Sequence, residues 1–273
     1  MNVLKNALIV LAGLYALLVL AAWGAQRYLV YVPDPTRVEP GALGLPGVSE
    51  RLVEAPDGVS VVAWYAPARQ GRPTLLYFHG NGGNLANRSE VIRRFMAEGL
   101  GVYMMSYRGY SGSGGTPSEA NNVADARRAY ADLCGLGVVA GDVVLYGESL
   151  GSGVAAQVAL DAAAAGLILD APFTSIVDIG AQSFPFLPVR WLMTHRYETI
   201  GIIDRVRMPL LVVHGEADRI VPVAMGRAVF SAAAQAAPKR LVTLPGAGHN
   251  DHMRYGSFEA IVSFVREVGK PRL

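Results

Sequence analysis

Near its start the chain has 21 consecutive uncharged residues, Asn6 to Gln26, and its hydrophobic pattern then changes character. From about residue 50, short β-branched or aromatic runs alternate with longer stretches of helical pattern. The short runs predict strands near 51–55, 59–66, 73–79, 101–107, 142–147, 166–170, 209–214 and 240–244. The longer stretches predict helices near 87–98, 118–134, 150–163, 222–235 and 256–268. Strands alternating with helices specify βαβ units, hence an α/β fold with a mostly parallel eight-stranded sheet and helices on both faces. Thr74 to Phe78 and Val143 to Tyr146 are continuously apolar, as strands covered on both faces should be. One connection breaks the alternation. It runs from Ala171 to about Arg207, and its length marks it as a functional insertion, expected to be a short lid.

At about 1.5 Å per residue, the uncharged run reaches the roughly 30 Å of a bilayer core, which predicts one transmembrane helix over about 6–26. Trp23, Tyr28 and Tyr31 gather where amphipathic rings favour the headgroup layer, and Pro33 and Pro35 stop the helix. The rival is a cleaved signal peptide, because Ala22-Trp23-Gly24 resembles a processing site; the apolar run exceeds the usual ~7–15 residues of such a signal, which favours an uncleaved anchor. Lys5 and the α-amino group on one side nearly balance Arg27 and Arg37 on the other, and the chain is expected with its N-terminus inside and the following domain on the non-cytoplasmic face. Residues 1–33 are therefore expected to be an anchor and 34–273 one α/β domain, joined through the Pro/Gly-rich stretch PDPTRVEPGALGLPG.

Composition narrows the function. Hydrophobic residues make up 52% of the 273 positions and charged residues 17%, enough apolar surface for a core and too little charge for a disordered chain. The net charge is +2 with no basic run, so no nucleic-acid partner is expected. Cys134 is the only cysteine, which excludes an internal disulfide and a cysteine-based zinc site. No obligate protein partner is expected.

The candidate chemistry begins at Gly147-Glu148-Ser149-Leu150-Gly151, where a predicted strand passes into a predicted helix. That is the context of a nucleophile elbow, a sharp turn that presents a serine hydroxyl above the sheet while two glycines let strand and helix converge. The plainer alternative is a glycine-rich helix start with Ser149 as N-cap. A hydroxyl nucleophile needs a base, and His249 lies in a loop between the last strand and the last helix; His79, His195 and His214 are expected to be structural. His249 and His252 also spell H-x-x-H, but no third ligand at helical spacing supports a metal. The carboxylate candidate is Asp218, after the strand at 209–214, with Asp170 as the runner-up. Ser, Asp, His is the chain order of α/β hydrolases. The segment His79-Gly80-Asn81-Gly82-Gly83-Asn84, directly after the third strand, is placed to supply one oxyanion-binding backbone N–H from Asn81, and the residue after the nucleophile, Leu150, the other.

With these residues the chain resembles the membrane-anchored α/β-hydrolase-domain serine hydrolases, which include protein depalmitoylases and related lipid or thioester hydrolases. Arg88, Tyr107-Arg108-Gly109-Tyr110, Pro117-Ser118-Glu119, Pro172-Phe173-Thr174-Ser175, Phe184-Pro185-Phe186-Leu187-Pro188 and Gly248-His249-Asn250-Asp251 extend the likeness over about residues 50 to 265. It departs in having no cysteine cluster before the hydrolase domain, so any anchoring rests on the apolar helix.

Two other classes compete. Gly151-Ser152-Gly153-Val154-Ala155-Ala156 spells G-x-G-x-x-A with Asp170 19 residues on, but its first glycine lies beyond the strand end, where a dinucleotide-binding turn should begin. A noncatalytic tethered binding domain would also fit the fold alone. The expected function is ester or thioester hydrolysis through Ser149, His249 and Asp218 on a small-molecule or lipid-like acyl substrate, without a cofactor. Phe173, Phe186 and Trp191 are expected to meet the acyl chain from the lid, together with Phe184, Leu187, Leu192 and Met193.

Overall fold

One long helix, α1 (Asn2–Val30), leads into the domain, and a short strand β1 (Val32–Pro33) follows it. The computed structural model describes residues 2–269. Beyond β1 come β2 (Ser49–Glu54), β3 (Ser60–Ala66), β4 (Thr74–Phe78), β5 (Gly82–Gly83), α2 (Ser89–Ala97), β6 (Gly101–Met105) and α3 (Glu119–Gly135). The second half contains β7 (Val143–Glu148), α4 (Leu150–Val158), β8 (Gly166–Asp170), α5 (Ile176–Ser183), α6 (Val189–Leu192), β9 (Leu210–Gly215), α7 (Val223–Ala232), β10 (Lys239–Leu244) and α8 (Ser257–Val268).

Eight of the strands form one sheet in the order β10-β9-β8-β7-β4-β6-β3-β2, with β2–β3 and β3–β6 antiparallel and the other pairs parallel. The eight predicted strands therefore exist, with ends displaced by at most two residues. Strand periodicity splits the core into two layers. Leu76, Phe78, Leu145, Leu169 and Val212 pack on one face with residues of α3, α4 and α7, while Leu75, Tyr77, Tyr146, Ile168 and Val213 pack on the other with Phe95 of α2 and Ile261 of α8. The central strands β4, β7 and β8 are buried almost throughout, which is why their sequences show no alternation. The predicted helix at 150–163 ends at Val158, because the chain must turn before entering β8 at Gly166.

Of the described helices, α1 alone is long and apolar enough to cross a membrane, and its apolar stretch is not buried against the domain. Its last turn behaves differently. Val30 and Tyr31 are buried in the layer that contains α4, and β1 pairs in parallel with β5, a two-stranded addition that the hydrophobic pattern does not reveal. The Tyr31 hydroxyl lies 3.1 Å from that of Tyr197, which also accepts a hydrogen bond from Asn122 Nδ2 at 3.0 Å. The expected boundary at residue 33 falls at the end of β1, just after Val30 and Tyr31 enter the core.

The insertion between β8 and β9 carries α5 and α6 and is not an unstructured loop. Ser175 caps α5, its hydroxyl accepting from Asp178 N at 3.0 Å.

Loss of the Tyr31 side chain should measure this coupling. Tyr31→Ala is expected to lower unfolding free energy by about 3–5 kcal/mol through the cavity it leaves, and Tyr31→Phe by about 1 kcal/mol through the lost hydroxyl contact. Denaturant melts of the two variants check this; unchanged midpoints would show that the segment is not part of the cooperative core.

Candidate active site

The site is built where β7 becomes α4. Ser149 has φ 50° and ψ −116°, a positive-φ conformation that a side-chain-bearing residue rarely adopts. Its N–H donates to Asp170 O at 2.8 Å and its carbonyl accepts from Ser152 N at 2.8 Å, so neighbouring elements hold the turn. A Cβ on Gly147 would lie 2.3 Å from Gly151 O, and one on Gly151 would lie 2.0 Å from Phe78 O. Both positions need glycine because backbone occupies the space. Ser149 stands at the N-cap of α4, yet its hydroxyl makes no capping bond. It lies 3.0 Å from His249 Nε2 instead.

On the other side of the imidazole, His249 Nδ1 is 2.6 Å from Asp218 Oδ2. A carboxylate accepts, so Nδ1 carries the proton of the neutral ring and Nε2 presents its lone pair to Ser149 Oγ–H. The backbone N–H groups of Ile220 and Val221 each donate to Asp218 Oδ1 at 2.8 Å. The geometry therefore unites Ser149, Asp218 and His249, residues separated by 69 and 31 positions in the sequence. Burial by itself would push the Asp218 carboxyl up, but hydrogen bonds from His214 and His249 and the charge of His249 hold it well below the usual carboxylate range. For His249, burial pulls the imidazole down and is outweighed by the Asp218 carboxylate, so its pKa is raised.

Asp170, the runner-up acid, is turned elsewhere. Its Oδ2 accepts from Tyr146 Oη at 2.7 Å and lies 3.5 Å from His252 Nε2, and burial raises its pKa. His252 Nδ1 meets Ser257 Oγ at 2.9 Å. The two imidazoles of H-x-x-H thus serve separate networks. His214 Nε2 donates to Val221 O at 2.8 Å, steadying the turn that carries Asp218. His79 is fully buried, and desolvation lowers its pKa to about 3. His195 Nδ1 accepts from Glu119 N at 3.3 Å. Gly151 and Gly153 of G-x-G-x-x-A are used in packing: a Cβ on Gly153 would meet the Tyr197 ring at 3.0 Å.

Asn81 and Leu150 share a pocket with Ser149. Leu150 is the first residue of α4, where a backbone N–H has no intrahelical acceptor. The Asn81 peptide is pinned by its carbonyl, which accepts from Val32 N at 3.0 Å and Tyr110 Oη at 2.6 Å, while its side chain donates to Val30 O at 3.0 Å. A brace not foreseen as such lies behind this loop. Glu148, between Gly147 and Ser149, accepts from Tyr77 Oη at 2.5 Å and Arg88 Nη2 at 3.3 Å, and Arg88 Nη1 reaches Gly82 O at 2.7 Å. Glu148 stands in the variable position of G-x-S-x-G, so only its partners reveal its role.

The pocket encloses about 210 Å³ and is mostly apolar. Phe173, Leu150 and Val221 lie near Ser149, and Ile176, Ile179, Phe184, Leu187, Leu192 and Met193 of the insertion form one side. Phe173, expected to meet the acyl chain, lines this pocket. Phe186 and Trp191 do not: they are 59% and 90% exposed and do not line the pocket, Phe186 standing in the connection between α5 and α6 and Trp191 on α6. The pocket has an unforeseen side as well, formed by Ala22, Gln26, Leu29 and Val30 of α1.

A mostly parallel sheet carrying a serine at a strained strand-to-helix turn defines the class, and comparison with known proteins agrees. The chain belongs to the α/β-hydrolase family. Residues 69–202 match the family described as Hydrolase_4, serine aminopeptidase, S33. An uncharacterized protein of Mycobacterium tuberculosis is 39% identical over 232 residues, covering 84% of this chain and 82% of its own. The alpha/beta hydrolase domain-containing protein WAV2 of Arabidopsis thaliana is 33% identical over 272 residues, covering 89% and 85%. The solved structure of Pyrococcus furiosus esterase Pf2001 superposes with a TM-score of 0.69 at 17% identity, covering 86% of this chain and 99% of its own, a likeness of fold.

Replacing Gly151 should show how tightly the elbow is held. Gly151→Ala is expected to destabilise the fold by about 3 kcal/mol or more, since β4 backbone cannot yield to its Cβ. Thermal melts check this, and a variant as stable as the parent would mean that the elbow has slack.

Proposed function

We propose that this protein is a membrane-anchored serine hydrolase that cleaves an ester or thioester with a lipid-like acyl group through an acyl-enzyme intermediate. The observation that carries this is the chain of contacts Ser149 to His249 to Asp218, ending at an apolar pocket. His249 takes the Ser149 proton as Oγ attacks the acyl carbonyl, and the Asp218 carboxylate stabilises the imidazolium that results. The backbone N–H groups of Asn81 and Leu150 hold the oxyanion. The imidazolium protonates the leaving group; water, activated by the same histidine, then releases the acid and restores Ser149.

The family's description as an aminopeptidase raises peptides as a second substrate class. An aminopeptidase must hold a substrate α-ammonium, for which a carboxylate is the natural partner. Among the described residues lining the pocket there is no carboxylate, which favours an uncharged acyl group. We place the hydrolase domain on the non-cytoplasmic face of the membrane, with α1 as an uncleaved anchor.

Ser149→Ala and His249→Ala should each abolish acyl-ester hydrolysis and fluorophosphonate labelling without unfolding the protein, and the double variant should lose no more than either. Persistent labelling in Ser149→Ala would refute the assignment of the nucleophile.

The pH profile gives an independent check. Because His249 must be neutral and its pKa is raised, kcat/KM should fall with decreasing pH through a midpoint above 6.5. Asp218→Asn removes the opposing carboxylate and leaves burial, so the midpoint should move to lower pH while kcat falls about 10²–10⁴-fold. If Asp170→Asn produces both changes and Asp218→Asn neither, the carboxylate has been misassigned.

A further inference from the structure

Resting on the hydrolase reading above, we infer that α1 is a wall of the acyl-binding pocket and that the acyl chain of a bilayer-embedded ester reaches Ser149 sideways from the membrane, between α1 and the insertion. Ala22, Gln26 and Leu29 of α1 line the same cavity as Ser149. Ala22 and Gln26 also belong to the charge-free run Asn6–Gln26, so the cavity extends from the nucleophile toward the part of the chain that matches a bilayer core in length and composition.

The insertion lies along α1 and does not merely cap its end. Gln26 Nε2 donates to Leu192 O at 3.3 Å, while Gln26 Oε1 accepts from Thr194 N at 2.9 Å and Thr194 Oγ1 at 3.1 Å. Lower on the helix, Tyr15 Oη donates to Phe186 O at 2.9 Å. These contact points are 11 residues apart, about 16 Å along a helix axis. The tip of the insertion therefore reaches the depth of the apolar helix. Phe186 and Trp191, exposed on that insertion, and Leu29, exposed on α1, give this side an apolar surface suited to a bilayer's interface and acyl layer.

A chain already in the leaflet would enter such a cavity without first being withdrawn into water. Small side chains on the wall would then set the room available to it. Ala22 lines the pocket and is half-buried, so added bulk there narrows it; Ala21 is exposed and lines no part of it.

The test uses the full-length chain in phosphatidylcholine vesicles with matched acetyl and palmitoyl esters of one chromogenic alcohol. Ala22→Trp is expected to lower the ratio of palmitoyl-ester to acetyl-ester turnover about tenfold or more, whereas Ala21→Trp leaves that ratio at the parent value. Equal loss on both esters, or no loss on the palmitoyl ester, overturns the inference. A second measurement needs no variant: a long-chain fluorophosphonate with a terminal diazirine is attached to Ser149 and irradiated. Cross-links to peptides containing residues 22–29 support the inference, and cross-links confined to other segments overturn it. Failure of any fluorophosphonate to label Ser149 overturns the hydrolase reading and this inference together, whereas a labelled Ser149 without α1 cross-links overturns the inference alone.

Discussion

The contact on which the site depends is one between backbones, where α4 begins so close to β4 and β7 that only hydrogen atoms fit at Gly147 and Gly151. That closeness forces Ser149 into a positive-φ conformation, which costs of order 1–3 kcal/mol and persists only if the surroundings hold it. They do so through the hydrogen bond from Ser149 N to Asp170 O and the burial of α4 between sheet and helices. Strain at Ser149 has a chemical consequence: the hydroxyl leaves the capping position natural for a serine at a helix start and faces an imidazole.

The electrostatics of the site follow from the same frame. His249 is subject to two opposed effects, burial that disfavours its cation and a carboxylate that favours it, and the carboxylate prevails. Asp218 can play that part because two backbone N–H groups and His214 hold it in place as well. Glu148, Tyr77 and Arg88 form a separate brace between the elbow and the glycine-rich loop after β4. Buried charges of this kind are tolerable because they are paired and hydrogen-bonded, and removing one partner would strand another.

The long N-terminal helix belongs to two environments. Most of its apolar surface meets nothing in the protein, while its final turn closes the core through Val30 and Tyr31 and supports Asn81 through the Val30 carbonyl. The long helix and the hydrolase domain are therefore joined at the pocket. The insertion completes the joint, since Gln26 binds it by backbone and side-chain contacts.

Strand and helix positions, the Ser149 turn and the candidate partners Asp218 and His249 were legible in the sequence, because strand and helix periodicity and glycine at tight approaches are local properties. Chain order did not separate Asp218 from Asp170, since both lie between Ser149 and His249; the choice was made when the fold turned one toward His249 and the other toward Tyr146 and His252. The orientation of Phe186 and Trp191 was not legible, since Phe186 lies in a connection without periodicity and the four-residue helix that carries Trp191 has no period long enough to assign a face. Nor was the part played by Ala22, Gln26 and Leu29, which belong by composition to the apolar helix and by position to the pocket. The sequence by itself determined the order of elements and the chemistry available at their ends, because both are written in short stretches of chain. Tertiary structure alone decided what the pocket is made of, because its walls come from segments more than 100 residues apart and meet only once the sheet has brought them to the same edge.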